Sequence, residues 1–253
     1  MESFLRSALA AAEAAAEDIL SYYRGAFEVE LKADQTPVTV ADRRAEEIIK
    51  NKLLGDFPGH GFYGEESGKE QADAEYLWLV DPIDGTKSFV GGYGMWSTQI
   101  ALMHRGELVL GVSSAPALGE MAWAVRGMGA HMNGAPIRIS DRTTLEQAAV
   151  STGNLQTMAG SSQWTRLGQI LARANRTRGY GDYYHYHRLA AGQIDAVIES
   201  DVNILDIAAL VVIVREAGGV FTDLEGRTPA LDTTSVLAAT PALHDELLET
   251  LNS

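Results

Sequence analysis

Two carboxylates three residues apart make Asp81-Pro82-Ile83-Asp84-Gly85-Thr86-Lys87-Ser88-Phe89 the stretch of the chain best equipped for chemistry. It follows Tyr76-Leu77-Trp78-Leu79-Val80, a short apolar run that reads as a buried strand stopping at Asp81-Pro82. At such a strand end both carboxylates can converge on one point, because Pro82 fixes its own φ and Gly85 permits a backbone reversal. Converging carboxylates make a cage for a hard cation. A helix or turn beginning at Gly85-Thr86 aims backbone N–H groups at an anion, which holds a phosphate beside that cation. Taken alone, the tetrad is equally well explained as a plain turn.

Two distant segments bring further carboxylates. Gly64-Glu65-Glu66-Ser67 lies upstream, and Asp206 opens an apolar helix far downstream. Each has an ordinary reading, the paired glutamates as a solvated loop and Asp206 as a helix cap. The elements that must position them are legible from pattern. Met1 to Tyr23 is an Ala-, Leu- and Glu-rich helix with no Gly or Pro before Gly25. A second helix runs from about Val40 to Leu54, with Thr39 three residues before Asp42 in a capping-box pattern. Strands follow at Met95 to Met103, Glu107 to Ser113, Glu120 to Val125 and Ala148 to Thr152. Helices are expected over Gln163 to Ala174, Tyr183 to Ala191, Asp206 to Ala217 and Ala242 to Leu251, with strands at Ile194 to Glu199, Val220-Phe221 and Ser235 to Ala239. The pattern is a mixed, layered α and β fold with no Gly-rich nucleotide loop.

Composition narrows the chemistry further. The 253 residues hold 34 Asp and Glu against 20 Lys and Arg, a formal charge of −14, and the cations are scattered. Nucleic acid and anionic membrane are therefore not expected as partners. With no cysteine there is no disulfide, thiolate nucleophile or Cys-ligated zinc. Glu2, Arg6, Glu13, Glu17 and Asp18 interrupt the N-terminal helix, unlike a secretion signal, and the longest apolar run, Ile207 to Val214, is too short to span a bilayer. A cytoplasmic location is the expectation. No linker or repeat divides the chain, so one compact domain over 1–253 is expected, with topological halves 1–145, carrying the metal and phosphate site, and 146–253, carrying the substrate side.

Together, Gly64-Glu65-Glu66, Asp81-Pro82-Ile83-Asp84-Gly85-Thr86 and Asn203-Ile204-Leu205-Asp206-Ile207-Ala208-Ala209 resemble, in order, the three signatures of the inositol monophosphatase superfamily. Thr39-Val40-Ala41-Asp42 adds a fourth likeness, and the resemblance spans roughly Lys32 to Gly219. It implies an α+β, αβαβα sandwich and a Mg²⁺-dependent phosphatase with two or three ions per site. By the same resemblance, Glu65, Asp81, Asp84 and Asp206 are side-chain metal ligands and Ile83 a carbonyl ligand. Catalysis falls to Glu65, Thr86 and Asp84, with Thr86 and Glu65 orienting the attacking water, while the N–H groups of Gly85 and Thr86 hold the phosphate. Asp42 and Glu66 lie near a weaker metal position. A homodimer is implied as well. The one departure is Leu205, where the family has a Trp before its last ligand.

Within the superfamily, Asp84-Gly85-Thr86-Lys87-Ser88-Phe89 is similar to the histidinol-phosphate phosphatases, as are Gly179-Tyr180-Gly181-Asp182-Tyr183-Tyr184 and Ala208-Ala209-Leu210. That branch implies a substrate carrying an ammonium and an imidazole, which carboxylates pair with. Glu199, seven residues before Asp206, and Asp182 are the candidates, beside Lys87 and Asp206 on the substrate side. The plain alternatives are a solvated strand end for Glu199, an N-cap for Asp182 and an exposed turn for Lys87. The other substrates in view are inositol or related sugar phosphates and 3′-phosphoadenosine 5′-phosphate, and the non-enzymatic alternative is a silent metal-binding scaffold. His185 and His187, two apart on a helix, point away from each other and read as structural.

Overall fold

The structure, a computed structural model, describes residues 1–23 and 40–253 in full and the backbone of 29–31 and 37–39. The Ala-rich opening forms the helix Glu2–Tyr23, which buries Ala8, Ala11, Ala12, Ala15 and Ile19 along one face. Small side chains at this spacing let it lie close against the helix Val40–Asp56, which buries Ala41, Ala45, Ile49 and Leu53. The Thr39 side chain, proposed as the cap of that second helix, and Lys32 fall outside the described residues.

These two helices cover one face of an eight-stranded sheet drawn from residues 61–137. Its order is Ala135–Ile137, Ala130–Met132, Glu120–Val125, Glu107–Ala115, Ser97–His104, Tyr76–Asp84, Gly61–Gly64 and Gly68–Glu70. The Tyr76–Asp84 strand is central and buried on both faces, which is why it reads as an unbroken apolar run. A second sheet has the order Arg176–Arg178, Ala149–Gly153, Ala196–Ser200, Ser235–Ala239 and Val220–Thr222. Its first three strands are parallel and the last two join antiparallel.

Between the sheets lie the helices Asp182–Ala190 and Ile204–Glu216. The second is apolar on every side because both of its flanks are covered, and its residues from Ile207 to Val214 are all buried. Trp164–Arg173 and Pro241–Asn252 close the outer face of the second sheet. The order of layers is therefore αβαβα. Among the described residues, no helix is long and apolar enough to cross a membrane.

Two boundaries correct the sequence reading. The strand from Tyr76 does not stop at Asp81-Pro82 but continues to Asp84. The helix carrying Asp206 starts two residues earlier, at Ile204, because Asn203 caps it.

Candidate active site

In a regular strand, residues three apart point to opposite faces. Asp81 and Asp84 escape this because the strand bulges between them: Asp81 pairs with Gln99 and Asp84 with Ser97, three steps on one strand against two on its neighbour. Pro82, which has no N–H to give to a ladder, sits within the bulge, and its carbonyl accepts from Thr98 Oγ1 at 2.8 Å. Asp81 Oδ1 folds back to accept from the N–H of Ile83 at 2.9 Å. Asp84 Oδ2 accepts from the N–H of Tyr183 at 3.0 Å and the hydroxyl of Ser97 at 3.3 Å.

The remaining carboxylates arrive from two other elements. Gly61–Gly64 runs parallel to the central strand, with Gly64 opposite Val80, so Glu65 emerges beside Asp81, its N–H bonded to the carbonyl of Val80 at 3.2 Å. Asp206 comes from the first turn of Ile204–Glu216. There a capping box holds it: Leu205 N–H donates to Asn203 Oδ1 at 2.6 Å and Asn203 N–H to Asp206 Oδ2 at 2.9 Å. The cap thus orients Asp206 where an aromatic neighbour is missing, and Leu205 is simply buried. Asp206 is the third-residue partner in the capping box and a member of the cluster at once.

Oxygens of Asp81, Asp84 and Asp206 lie within 4.8 Å of one another. Burial raises the Asp81 carboxyl well above the ordinary range, helped by the charges of Glu65, Asp206, Asp84 and Asp42. Asp84 is raised by burial and then by Asp182, Asp206 and Glu199. Asp206 is pushed up to about 7, chiefly by burial, against the opposing N–H of Asn203. So many hard oxygens, partly desolvated and mutually repelling, fit a hard dication, whose charge relieves the repulsion.

Gly85 follows in the left-handed region, φ 85° and ψ 36°, and caps the short helix Thr86–Val90. Thr86 Oγ1 donates to the Ile83 carbonyl at 3.0 Å, tying the turn to the strand end. A cleft of about 350 Å³ is lined by Glu65, Asp81, Ile83, Asp84, Gly85, Thr86, Lys87, Ser88, Asn154, Asp182, Asp201, Asn203 and Asp206. Lys87 is exposed at its rim. Asp42 is buried near enough to act on Asp81, while Glu66 pairs with Arg43 at 3.9 Å; neither lines the cleft.

Asp182 is not the N-cap of its helix. Gly181 takes that position, and Asp182 follows at φ 47° with its carboxylate 3.4 Å from the Ser88 hydroxyl. Its carboxyl is pushed up to about 6, by burial and then by Glu199. Glu199 is not a solvated strand end. It is buried, and its Oε2 accepts from the Tyr186 hydroxyl at 2.6 Å and contacts His185 Nε2 at 3.0 Å. A side chain at Gly153 would meet Glu199 Oε1 at 1.9 Å, so glycine is required there. Glu199 borders a small cavity of about 30 Å³ behind the cleft, with Asp84, Asp182, Tyr186 and Asp206. His185 and His187 are fully buried and face different partners, as their spacing implies.

Asn154, Asp201, Asn203 and Ser88 line the cleft without having been singled out. Asn154 and Asp201 each follow a strand of the second sheet and hold left-handed backbones, φ 47° and 58°. The Asn154 amide donates to the Asp201 carbonyl at 3.2 Å, which joins the two strand ends. Their signal in sequence is a polar residue directly after an apolar strand, the same signal that marks Asp81.

A layered αβαβα fold that gathers buried carboxylates beside an N–H-presenting turn defines a phosphoric monoester hydrolase whose class depends on metal. The chain belongs to the inositol monophosphatase family, whose model matches residues 1–253. It is 40% identical to the histidinol-phosphatase of Mycobacterium tuberculosis, over 89% of this chain and 88% of the relative. It is 34% identical to the inositol-1-monophosphatase of Mesorhizobium japonicum, over 88% and 85% of the two chains. The crystal structure of the extragenic suppressor protein suhB from Bartonella henselae superposes with a TM-score of 0.90 at 32% identity, covering 99% of both chains.

Proposed function

We propose that this chain hydrolyses histidinol phosphate to histidinol and phosphate, with Mg²⁺ held by Glu65, Asp81, Asp84, Asp206 and the Ile83 carbonyl, and Asp42 and Glu66 near a weaker position. The observation that carries the substrate reading is a surplus of carboxylates over the metal set: of the six that line the cleft, Asp182 and Asp201 are not assigned to metal, and Asp182 lies beside Gly85 and Ser88 of the phosphate turn. A phosphate and its metals would not call for these two further carboxylates, whereas an ammonium or imidazole would. The similarity to histidinol-phosphatases supports the same choice.

Two or three bound Mg²⁺ ions would supply charge neutralisation for the phosphate and acidify a water at neutral pH. The N–H groups of Gly85 and Thr86, which start a helix and have no intrahelical acceptor, hold phosphate oxygens. Glu65 and Thr86 orient the attacking water. The Thr86 hydroxyl spends its proton on the Ile83 carbonyl, so its lone pairs accept from that water, while Glu65 accepts the second O–H. The water oxygen bonds to phosphorus as one of its protons passes to the Glu65 carboxylate, the ester P–O bond breaks, and the leaving alkoxide takes up a proton from solvent, to which Glu65 returns its own. Lys87 adds positive charge at the phosphate side. Asp182 and Glu199 face the cationic end, and Asp206 borders both regions. A homodimer and a cytoplasmic location belong to the same proposal, the homodimer resting on the family likeness.

The test is a panel of histidinol phosphate, inositol 1-phosphate and 3′-phosphoadenosine 5′-phosphate assayed with Mg²⁺. Histidinol phosphate should give the highest kcat/KM. A preference for the inositol ester, for which other relatives are named, would overturn the substrate reading and leave the phosphatase.

A further inference from the structure

Behind the cleft, a line of buried polar side chains leads away from Asp84 through the central sheet. Sheet register sets it up: Asp84 lies opposite Ser97, and Gln99 lies between Asp81 on one neighbouring strand and Ser113 on the other. Residues directly opposite share a face. The helix Asp182–Ala190 lays His187 over that face. Ser97, Gln99, Ser113 and His187 are all fully buried.

The proton positions follow from one end to the other. An ionised Asp84 only accepts, so Ser97 donates to its Oδ2 at 3.3 Å. The Gln99 amide donates to Ser97 at 2.7 Å and to Ser113 at 3.0 Å, which uses both of its protons. Ser113 then has its own proton for His187 Nε2 at 2.8 Å. That leaves the His187 proton on Nδ1, pointing at the Glu120 carboxylate 3.0 Å away, which the Arg188 guanidinium pairs with from its other side. Burial holds the His187 imidazole below its ordinary pKa and so keeps this neutral form.

One atom argues that the direction matters. Gln99 Oε1 is buried with no hydrogen-bond partner among the described residues. An unmet acceptor costs stability, and an apolar side chain of similar shape would avoid that cost. The amide's orientation satisfies the two serines and leaves its own oxygen unmet.

We propose that His187, Ser113, Gln99 and Ser97 form a positioning chain that fixes the Asp84 carboxylate in the orientation where it meets Asp81 and Asp206, with Glu120 and Arg188 as the anchor. The chain acts through Asp84 and touches no substrate, and the inference rests on the metal-site reading given above. Donors of this kind aim a carboxylate ligand and favour its ionised form, so cutting the chain weakens the site without removing a ligand.

The experiment is a calorimetric Mg²⁺ titration of metal-stripped protein, with kcat, KM and Tm measured alongside, for wild type, Ser113→Ala, Ser97→Ala and Ser114→Ala. Ser114 is the next residue on the same strand, buried but turned to the opposite face. Ser113→Ala should bind Mg²⁺ about tenfold more weakly and lose about tenfold in kcat, with a smaller change in KM and a Tm no lower than that of Ser114→Ala. Ser114→Ala should keep the wild-type affinity. If Ser113→Ala does not fold, Ser97→Ala reads the same chain at its other end. Unchanged Mg²⁺ affinity in both chain variants, or equal losses in Ser114→Ala, would overturn the inference. A wild-type protein that binds no Mg²⁺ would overturn the metal reading itself, and the positioning chain with it.

Discussion

Asp81 and Asp84 face the same point because the strand that carries them takes in one extra residue between Gln99 and Ser97 of its neighbour. Without that bulge the two carboxylates would lie on opposite faces of the central sheet, one turned into the packed core. The site thus depends on a local irregularity near the end of a strand buried on both faces. The cost is visible in the raised pKa values of the carboxylates gathered there.

Replacing Asp84 by Asn removes a charge and a strong ligand while keeping the shape. Turnover should fall by more than about a hundredfold, beyond what losing an outer partner of a ligand costs. The metal-free variant should be at least as heat-stable as metal-free wild type, because one of the repelling charges is gone. Thermal melts in EDTA and phosphate-release assays check both halves, and normal turnover in a folded Asp84→Asn protein would contradict the assignment.

Metal-free protein should lose stability as pH rises. Asp81, Asp84, Asp182 and Asp206 all have folded pKa values above their unfolded ones, Asp182 at about 6 and Asp206 at about 7. The folded state therefore binds more protons than the unfolded state between the ordinary carboxylate range and about pH 7, and stability falls across that window. The contribution is fully present below the unfolded pKa values and is lost as pH rises through the folded ones. Tm measured from pH 4 to 8 should decline in EDTA, and saturating Mg²⁺ should remove most of the decline.

Glu65→Gln should lower kcat more than it raises KM, since Glu65 lies beside Asp81 and is assigned to the attacking water. Steady-state kinetics at saturating Mg²⁺ separates the two parameters. An effect confined to KM would assign Glu65 to ground-state binding instead.

Substrate choice is tested at Glu199. A hydrogen bond to a charged group contributes about 1.5–3 kcal/mol, so Glu199→Gln should cut kcat/KM for histidinol phosphate by roughly one to two orders of magnitude. Glycerol phosphate, which has no cation to pair, should be far less affected. Equal losses would mean that Glu199, bonded to Tyr186 and His185, supports the architecture, and would move recognition to Asp182.

The carboxylates of the cluster were legible through the family signatures that carry them, since each alone had an ordinary reading: a turn for Asp81 and Asp84, a solvated loop for Glu65 and a helix cap for Asp206. The mix of α and β elements was legible because apolar runs and helical spacing alternate along the chain, whereas the αβαβα order of the layers was implied only by the family resemblance. The bulge was not, since an extra residue in a strand leaves no mark in composition, and the strand was expected to stop where it bends. Asn154 and Asp201 were missed because an exposed polar residue with a left-handed backbone looks like any loop residue until the second sheet carries it to the cleft. Ser97-Thr98-Gln99 did leave a trace: three polar residues opening a strand buried on both faces need partners, and the structure shows them.

The most direct measurement is phosphate release from histidinol phosphate by protein stripped of metal with EDTA and then titrated with Mg²⁺. No turnover before addition and saturable recovery after it is the predicted result. Full-rate turnover in the continued presence of excess EDTA would contradict a metal-dependent site built on Asp81, Asp84 and Asp206.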